Sequence, residues 1–327
     1  MLFPELEQLR QENRITQGFK YTKQSAANVI SAIRQFTYFT TFFELEALPA
    51  SVDTLTCFLQ FMARSSGHAH LKHLLSSVKF LHQALGYIFP ENDFQVDMTM
   101  QGLKRRLAKV PFQVLPLTPK VLRNMYPHIN LASPEDRALW GAYLTSFFCL
   151  LRKSNAVPKD TLYDPRKILV RRNFRIDLRN NMVYLYIGFG KTNQFGNRDQ
   201  IIPVPGNGDA ALNLVHHLSA IFSHYEASPN EPAFSFAPGK FISYSKFSSR
   251  LKTLLRKAGY NPDLYSGHSF RRGGATFLYG CGGTALQVQS AGDWSSLCYT
   301  RYLYLSEGER LQAQQIIANG IMNTLGG

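Results

Sequence analysis

Polar side chains stand at three places in this sequence where packing alone would not put them. In Leu150–Leu151–Arg152–Lys153–Ser154, Arg152 closes a strongly apolar helical run, so buried surroundings rather than water would fix its guanidinium. A basic residue there also complements the C-terminal helix dipole, which is the plainer reading. In Gly267–His268–Ser269–Phe270–Arg271–Arg272–Gly273–Gly274–Ala275, His268 and Arg271 are three positions apart. On a helix they share a face and can reach one anion together, although such pairs also occur on solvated faces. Gly273, Gly274 and Ala275 are small enough for another backbone to approach closely. The third place is Gly292–Asp293–Trp294, followed by Tyr299, Tyr302 and Tyr304. A tryptophan offers one N–H on a rigid ring. A tyrosine hydroxyl is a poor nucleophile at its ordinary pKa of about 10. It becomes useful where a base takes its proton and cations stabilise the transferred group. Aromatics at this density also serve as core or as stacking surface.

The elements that must position these residues are mostly helical. From about Ser25 to Lys109 the spacing predicts four helices. The first carries Val29, Ile30, Ile33 and Phe36 and ends before Pro49. The second is capped by Ser51 and carries Leu55, Phe58, Leu59 and Met62. Leu71, Leu74, Leu75, Val78, Leu81 and Leu85 form the third stripe, and Leu103 and Leu107 the short fourth. The segment KVPFQVLPLTP over 109–119 reads as an extended linker. Thr118 and Ser133 each cap a helix with proline at its first position, and the second of these runs over 134–151. Strands are expected over Lys167–Asp177, Met182–Phe189 and Gln200–Val204, then helices near 207–224, 242–258, 268–280 and 306–322. The layout is a helical domain over 1–108, a linker over 109–119, and a mostly α domain with one small antiparallel sheet over 120–327.

Composition narrows the function. Of 327 residues 45% are hydrophobic and 18% charged, a folded rather than a disordered composition. No apolar run approaches the roughly 18 residues of a membrane-spanning helix. The opening MLFPELEQLRQENR carries acids and lacks the order of a secretion signal. Cys57, Cys149, Cys281 and Cys298 are scattered, against a disulfide scaffold or thiolate zinc site and in keeping with a reducing compartment. The net charge is +14; residues 1–116 hold 12 basic against 9 acidic side chains, and residues 117–327 hold 24 against 13. That excess suits a polyanion, nucleic acid first, as well as a merely soluble basic surface. Lys104, Arg105, Arg106 and Lys109, beside the linker, read as phosphate contacts. Arg166, Lys167, Arg171, Arg172 and Arg175 line a strand region, and of these Arg171 and Arg172 are expected at DNA. His68, His70, His73 and His82 have only Cys57 nearby as a further ligand, so they read as solvated or DNA-facing rather than metal-binding.

Taken in order, Arg152, Lys191 within Gly188–Phe189–Gly190–Lys191–Thr192, His268–x–x–Arg271, Trp294 and a C-terminal tyrosine resemble the tyrosine recombinase (phage-integrase-like) family. The phrases GHSFRRGGATF and GDWSSLCYTRYL look closest to recombinases of crypton-type eukaryotic mobile elements. The resemblance covers about 25 to 310, because the first helices look like the family's core-binding domain. It implies a mainly α fold with a small antiparallel sheet, and DNA cleavage and rejoining for integration, excision or transposition. Arg152 and Arg271 would clamp the scissile phosphate, Lys191 would protonate the leaving 5′ oxygen, and His268 would assist proton transfer. Trp294 would bond the phosphate through its indole, and Tyr302 would form the 3′-phosphotyrosyl link, with Tyr299 and then Tyr304 behind it. Asn155 stands where many bacterial members carry an acid. The resemblance implies no metal, ATP or other cofactor. The implied partner is double-stranded DNA, with dimer-to-tetramer self-association through the C-terminal helix. It implies a nuclear location in a eukaryote, or the nucleoid otherwise. A relative that binds without cleaving and a topoisomerase-like monomer are the alternatives. The complete set of chemistry-bearing residues disfavours the first, and the small helical first domain with its C-terminal helix the second.

Overall fold

Capping hydroxyls, prolines and one long apolar helix set the element boundaries in the computed structural model, which describes residues 4–18, 20–108, 114–189, 200–294, 296–303, 311 and 314–315. The chain divides into two units, Met1–Pro111 and Phe112–Gly327. The first holds α1 (Pro4–Gly18), α2 (Lys23–Phe42), α3 (Val52–Met62), α4 (His68–Leu85) and α5 (Phe94–Arg106). Thr22, Ser51 and Asp93 accept from backbone N–H groups at the starts of α2, α3 and α5. Gly86, in the left-handed region at φ 78°, stops α4. Phe36, Phe58, Leu55, Leu59, Leu71, Leu74 and Leu103 form this unit's core. His82 belongs to it: its Nε2 accepts from Ala50 N–H at 2.9 Å and its Nδ1 lies 2.8 Å from Val78 O.

The second unit begins with α6 (Pro119–Met125), α7 (Pro134–Phe148) and the single turn α8 (Lys153–Ala156). Strands β1 (Phe174–Asp177), β2 (Met182–Ile187) and β3 (Gln200–Pro205) form an antiparallel sheet in that order. Then come α9 (Leu214–Phe222), a small hairpin of β4 (Ser235–Ala237) and β5 (Lys240–Phe241), α10 (Tyr244–Lys257), α11 (His268–Gly280) and α12 (Ala285–Ala291). A 3-10 turn over Leu297–Tyr302 follows. α7 is the centre of this unit, buried from Ala138 to Phe147. Its two polar-edged aromatics are satisfied inside: Trp140 donates to Ala211 O and Tyr143 to Phe247 O, both at 2.8 Å. The Tyr143 ring also stacks on Phe270, with centroids 4.8 Å apart, and this sets how α11 is turned about its axis.

Several boundaries differ from those expected. The strand over 167–177 is confined to β1, because Asn173 accepts from Val170 N–H and closes Arg171–Asn173 into a 3-10 turn. The helix over 207–224 starts only at Leu214, since Asp209 binds the N–H groups of Ala211 and Leu212 and holds a turn there. The linker shortens at its end: Leu115 donates to Leu264 O and the fully buried Leu117 to Ser269 O, so 114–118 is part of the second unit. α1, α12 and the β4–β5 hairpin had no counterpart in the sequence reading. The helix expected over 306–322 lies outside the described residues except Leu311, Gln314 and Gln315. Among the described residues no helix is long and apolar enough to cross a membrane.

Candidate active site

The helix expected over 134–151 ends at Phe148, and the chain then reverses through Leu150 in the left-handed region at φ 48°. A non-glycine residue adopts that region only under tertiary constraint. Leu151 N–H closes the turn locally on Ser146 O at 3.0 Å, and Arg271 Nη1 donates to the Leu150 carbonyl. The turn releases Arg152 from the helix end and places it at the N-cap of α8, half-buried. Among the described residues the Arg152 side chain has no hydrogen-bond or ion-pair partner. It lines a cleft of about 340 Å³ together with Asn155, Arg271, Gln289, Asp293 and Trp294.

Arg271 is 4% exposed and reaches this cleft from inside. Its Nη2 donates to Gly292 O at 2.6 Å, so the one guanidinium ties the end of α7 to the segment carrying Trp294. Two of its five N–H groups are used by carbonyls, and the Tyr302 hydroxyl also hydrogen-bonds the guanidinium. Burial first, then the Arg152 charge, pull its pKa below the ordinary arginine range, while the Tyr302 hydroxyl and Asp293 beside it act in the opposite sense. It stays protonated at neutral pH. α11 comes close enough for this because it lacks side chains where it meets other backbone. A Cβ at Gly273 would overlap Leu117 O, and one at Gly274 would overlap Phe147 O.

His268 opens α11 and is exposed. Partial burial chiefly, and then the charges of Arg152, Lys153 and Arg271, lower its pKa, so its ring is neutral at pH 7 and able to accept a proton. Trp294 is buried, its ring centre 4.0 Å from the Arg271 guanidinium. Its Nε1–H is buried without a partner among the described residues. A buried donor without an acceptor is costly and marks a place for one. The Tyr302 ring lies 5.1 Å from Trp294 and 5.3 Å from the Arg271 guanidinium. Tyr299 is buried in a small apolar cluster with Leu150, Ala275, Val288 and Trp294, against which Tyr302 also packs. Tyr304 lies outside the described residues.

Arg152, His268, Arg271, Trp294 and Tyr302 therefore converge. Lys191 falls outside the described residues; Ile187, Phe189, Gln200 and Ile202 also line the cleft. Arg171 is corrected. It is 7% exposed, donates to Ser235 O at 3.0 Å, and lies 4.2 Å over the Phe222 ring, so it is an internal strut and not a DNA contact. Arg172 is exposed. In the first unit Lys104, Arg105 and Arg106 are exposed at the end of α5, with Arg106 donating to Gln60 at 2.9 Å; Lys109 is not described. Sequence reasoning missed Lys153, which donates to Ser248 at 2.6 Å, stacks 3.5 Å over the Tyr244 ring and adds charge beside His268. Its only signal was adjacency to Arg152.

No family model and no curated protein sequence matches the chain. Solved structures do. The integrase of transposon Tn1549 in complex with transposon right-end DNA is 13% identical over 97% of this chain and 98% of its own, with a TM-score of 0.58. The XerH site-specific recombinase bound to a palindromic difH substrate is 16% identical over 86% of this chain and 76% of its own, with a TM-score of 0.58. A lambda integrase dimer bound to a COC′ core site is 15% identical over 94% and 77%, with a TM-score of 0.56. The likeness is one of fold: mainly helical with a small antiparallel sheet, as in tyrosine recombinases.

Proposed function

We propose that this chain is a site-specific DNA recombinase that cleaves and rejoins strands through a tyrosine. The observation that carries the reading is Tyr302 beside Arg271, which lines a cleft with Arg152, a side chain without a partner among the described residues, and with His268 near both arginines. A phosphodiester bound there receives two guanidiniums, which offset the charge that builds on its non-bridging oxygens. Tyr302 Oη bonds to phosphorus, its proton passes to neutral His268, and the bond to the 5′ oxygen breaks. Lys191, assigned by its place in the motif order alone, supplies the proton that oxygen needs. The Trp294 N–H takes a phosphate oxygen as its missing acceptor. The 3′-phosphotyrosyl link keeps the phosphodiester energy, so rejoining is the same step reversed and ATP has no part in it.

Double-stranded DNA is the substrate, and integration, excision or transposition of a mobile element, crypton-like in its motifs, is the use. The first unit serves as the core-binding domain, with Lys104–Arg106 against phosphates. Assembly into a dimer or tetramer runs through the segment after Tyr302, where Leu311 is 58% exposed. The test is incubation with a genomic-fragment pool, then capture and sequencing of DNA bound covalently to protein. Wild-type chain is expected to yield discrete attachment sites, and Tyr302→Phe none while still binding DNA. Covalent product from Tyr302→Phe would move the nucleophile to Tyr299 or Tyr304. Binding without any product from wild type would make the chain a non-cleaving relative.

A further inference from the structure

Three side chains of α11 hold four backbone carbonyls drawn from three separate segments. Arg271 takes Leu150 O and Gly292 O, Arg272 takes Leu303 O at 3.5 Å, and Thr276 takes Tyr302 O at 3.2 Å through its hydroxyl. Arg272 and Thr276 are four residues apart, hence on one face of the helix, and they grip consecutive peptide units. Arg272 is 6% exposed and, unlike Arg271, does not line the cleft. We infer that Arg272 and Thr276 are positioning residues, which hold the Tyr302 main chain so that its ring and hydroxyl stay beside Arg271. This rests on the proposed recombinase chemistry and adds to it what aims the nucleophile.

The 3-10 turn that ends at Tyr302 is short and not self-supporting, since such helices have poor hydrogen-bond geometry. Its backbone direction at Tyr302 therefore depends on what it docks against. The ring alone cannot set the hydroxyl, because rotation at Cα would swing it by ångströms. Two carbonyl clamps in succession remove that freedom. Misplacement of a reacting atom by about 1 Å costs on the order of a hundredfold in rate.

The experiment compares Thr276→Val, which keeps the shape and removes the donor, with Thr276→Ser, which restores the donor in a smaller side chain. Both are made in the full chain and assayed on a DNA site identified with the wild type. Thr276→Val is expected to lower the single-turnover rate of covalent attachment by ten- to a hundredfold at unchanged DNA affinity. Thr276→Ser is expected to recover most of that rate. Arg272→Met should act in the same direction as Thr276→Val, again on rate and not on affinity. Wild-type rates in Thr276→Val, equal losses in the Val and Ser variants, or an affinity that falls in step with rate would each overturn the inference. Attachment persisting in Tyr302→Phe is a separate result, which strikes the choice of nucleophile and not the clamp.

Discussion

The Arg271 guanidinium lies 4.0 Å from the centre of the Trp294 ring, and Gly292 is what lets the ring approach. A Cβ at Gly292 would overlap the six-membered part of the indole. The stack is buried, where such a contact is worth about 2 kcal/mol. Arg271, Gly292 and Trp294 thus form one mechanical unit, in which the smallest residue decides whether the other two meet.

Gly292→Ala is accordingly expected to push Trp294 off Arg271 and to cost about 1–3 kcal/mol of stability. The chain has two tryptophans, so the difference in emission between Gly292→Ala and Trp294→Phe reports on Trp294 itself. A red-shifted difference spectrum is the expected result; one matching the wild type would show that the neighbours absorb the methyl group.

For His268 the sign of the pH effect follows from its lowered pKa. The folded chain binds fewer protons there than the unfolded chain, so stability falls as the pH drops from about 6.5 through the lower folded value. Well above pH 6.5 this group contributes nothing. Burial is the larger cause, and Lys153 is one of three neighbouring charges. Lys153→Met is therefore expected to raise the His268 pKa toward its ordinary value without reaching it, as read by NMR titration of the ring. An unmoved titration would remove Lys153 from the site.

Arg171 and the basic end of α5 are expected to behave oppositely. Arg171→Met should lower stability by about 2–3 kcal/mol, because charge-assisted hydrogen bonds and the Phe222 stack are lost. It should leave the salt dependence of DNA binding unchanged. Replacing Lys104, Arg105 and Arg106 together by alanine should reduce the slope of log affinity against log salt by roughly one to three, with little change in melting temperature. An unchanged slope would mark that run as simply solvated.

Lys191→Ala is expected to slow attachment strongly on ordinary DNA and much less on a 5′-bridging phosphorothiolate, whose sulfur leaves without a proton. Equal losses on both substrates would make Lys191 a binding residue only.

What the sequence made legible was local. The helix from His268 to Gly280 begins and ends as its spacing predicts, and α3 starts at the Ser51 cap, because caps and periodicity act within a few residues. Arg152 was found for its chemistry and misplaced in its structure. The left-handed turn at Leu150 puts a leucine where a glycine would signal a helix end, and its carbonyl is held by Arg271, 121 residues away. Arg171 failed for the same reason. Beside Arg172 it reads as an exposed basic pair, and only Phe222 and Ser235 reveal that one of the two points inward. α12 was missed because seven residues, Ala285–Ala291, are too few for a periodic pattern to stand out.

The apolar cluster of Leu150, Ala275, Val288, Trp294 and Tyr299 is separate from the large core around α7. Tyr302 and Leu303 pack against this smaller cluster. Regions with few buried contacts open at lower free energy than the global transition. Gentle warming should then release amide protons of α12 and the final 3-10 turn well before those of α7. A sample heated into that interval is expected to keep its far-ultraviolet signal and, on the proposed function, to bind DNA without attaching to it. Order around Tyr302 therefore rests on a handful of side chains, and the melting point of the whole molecule is the wrong gauge of it.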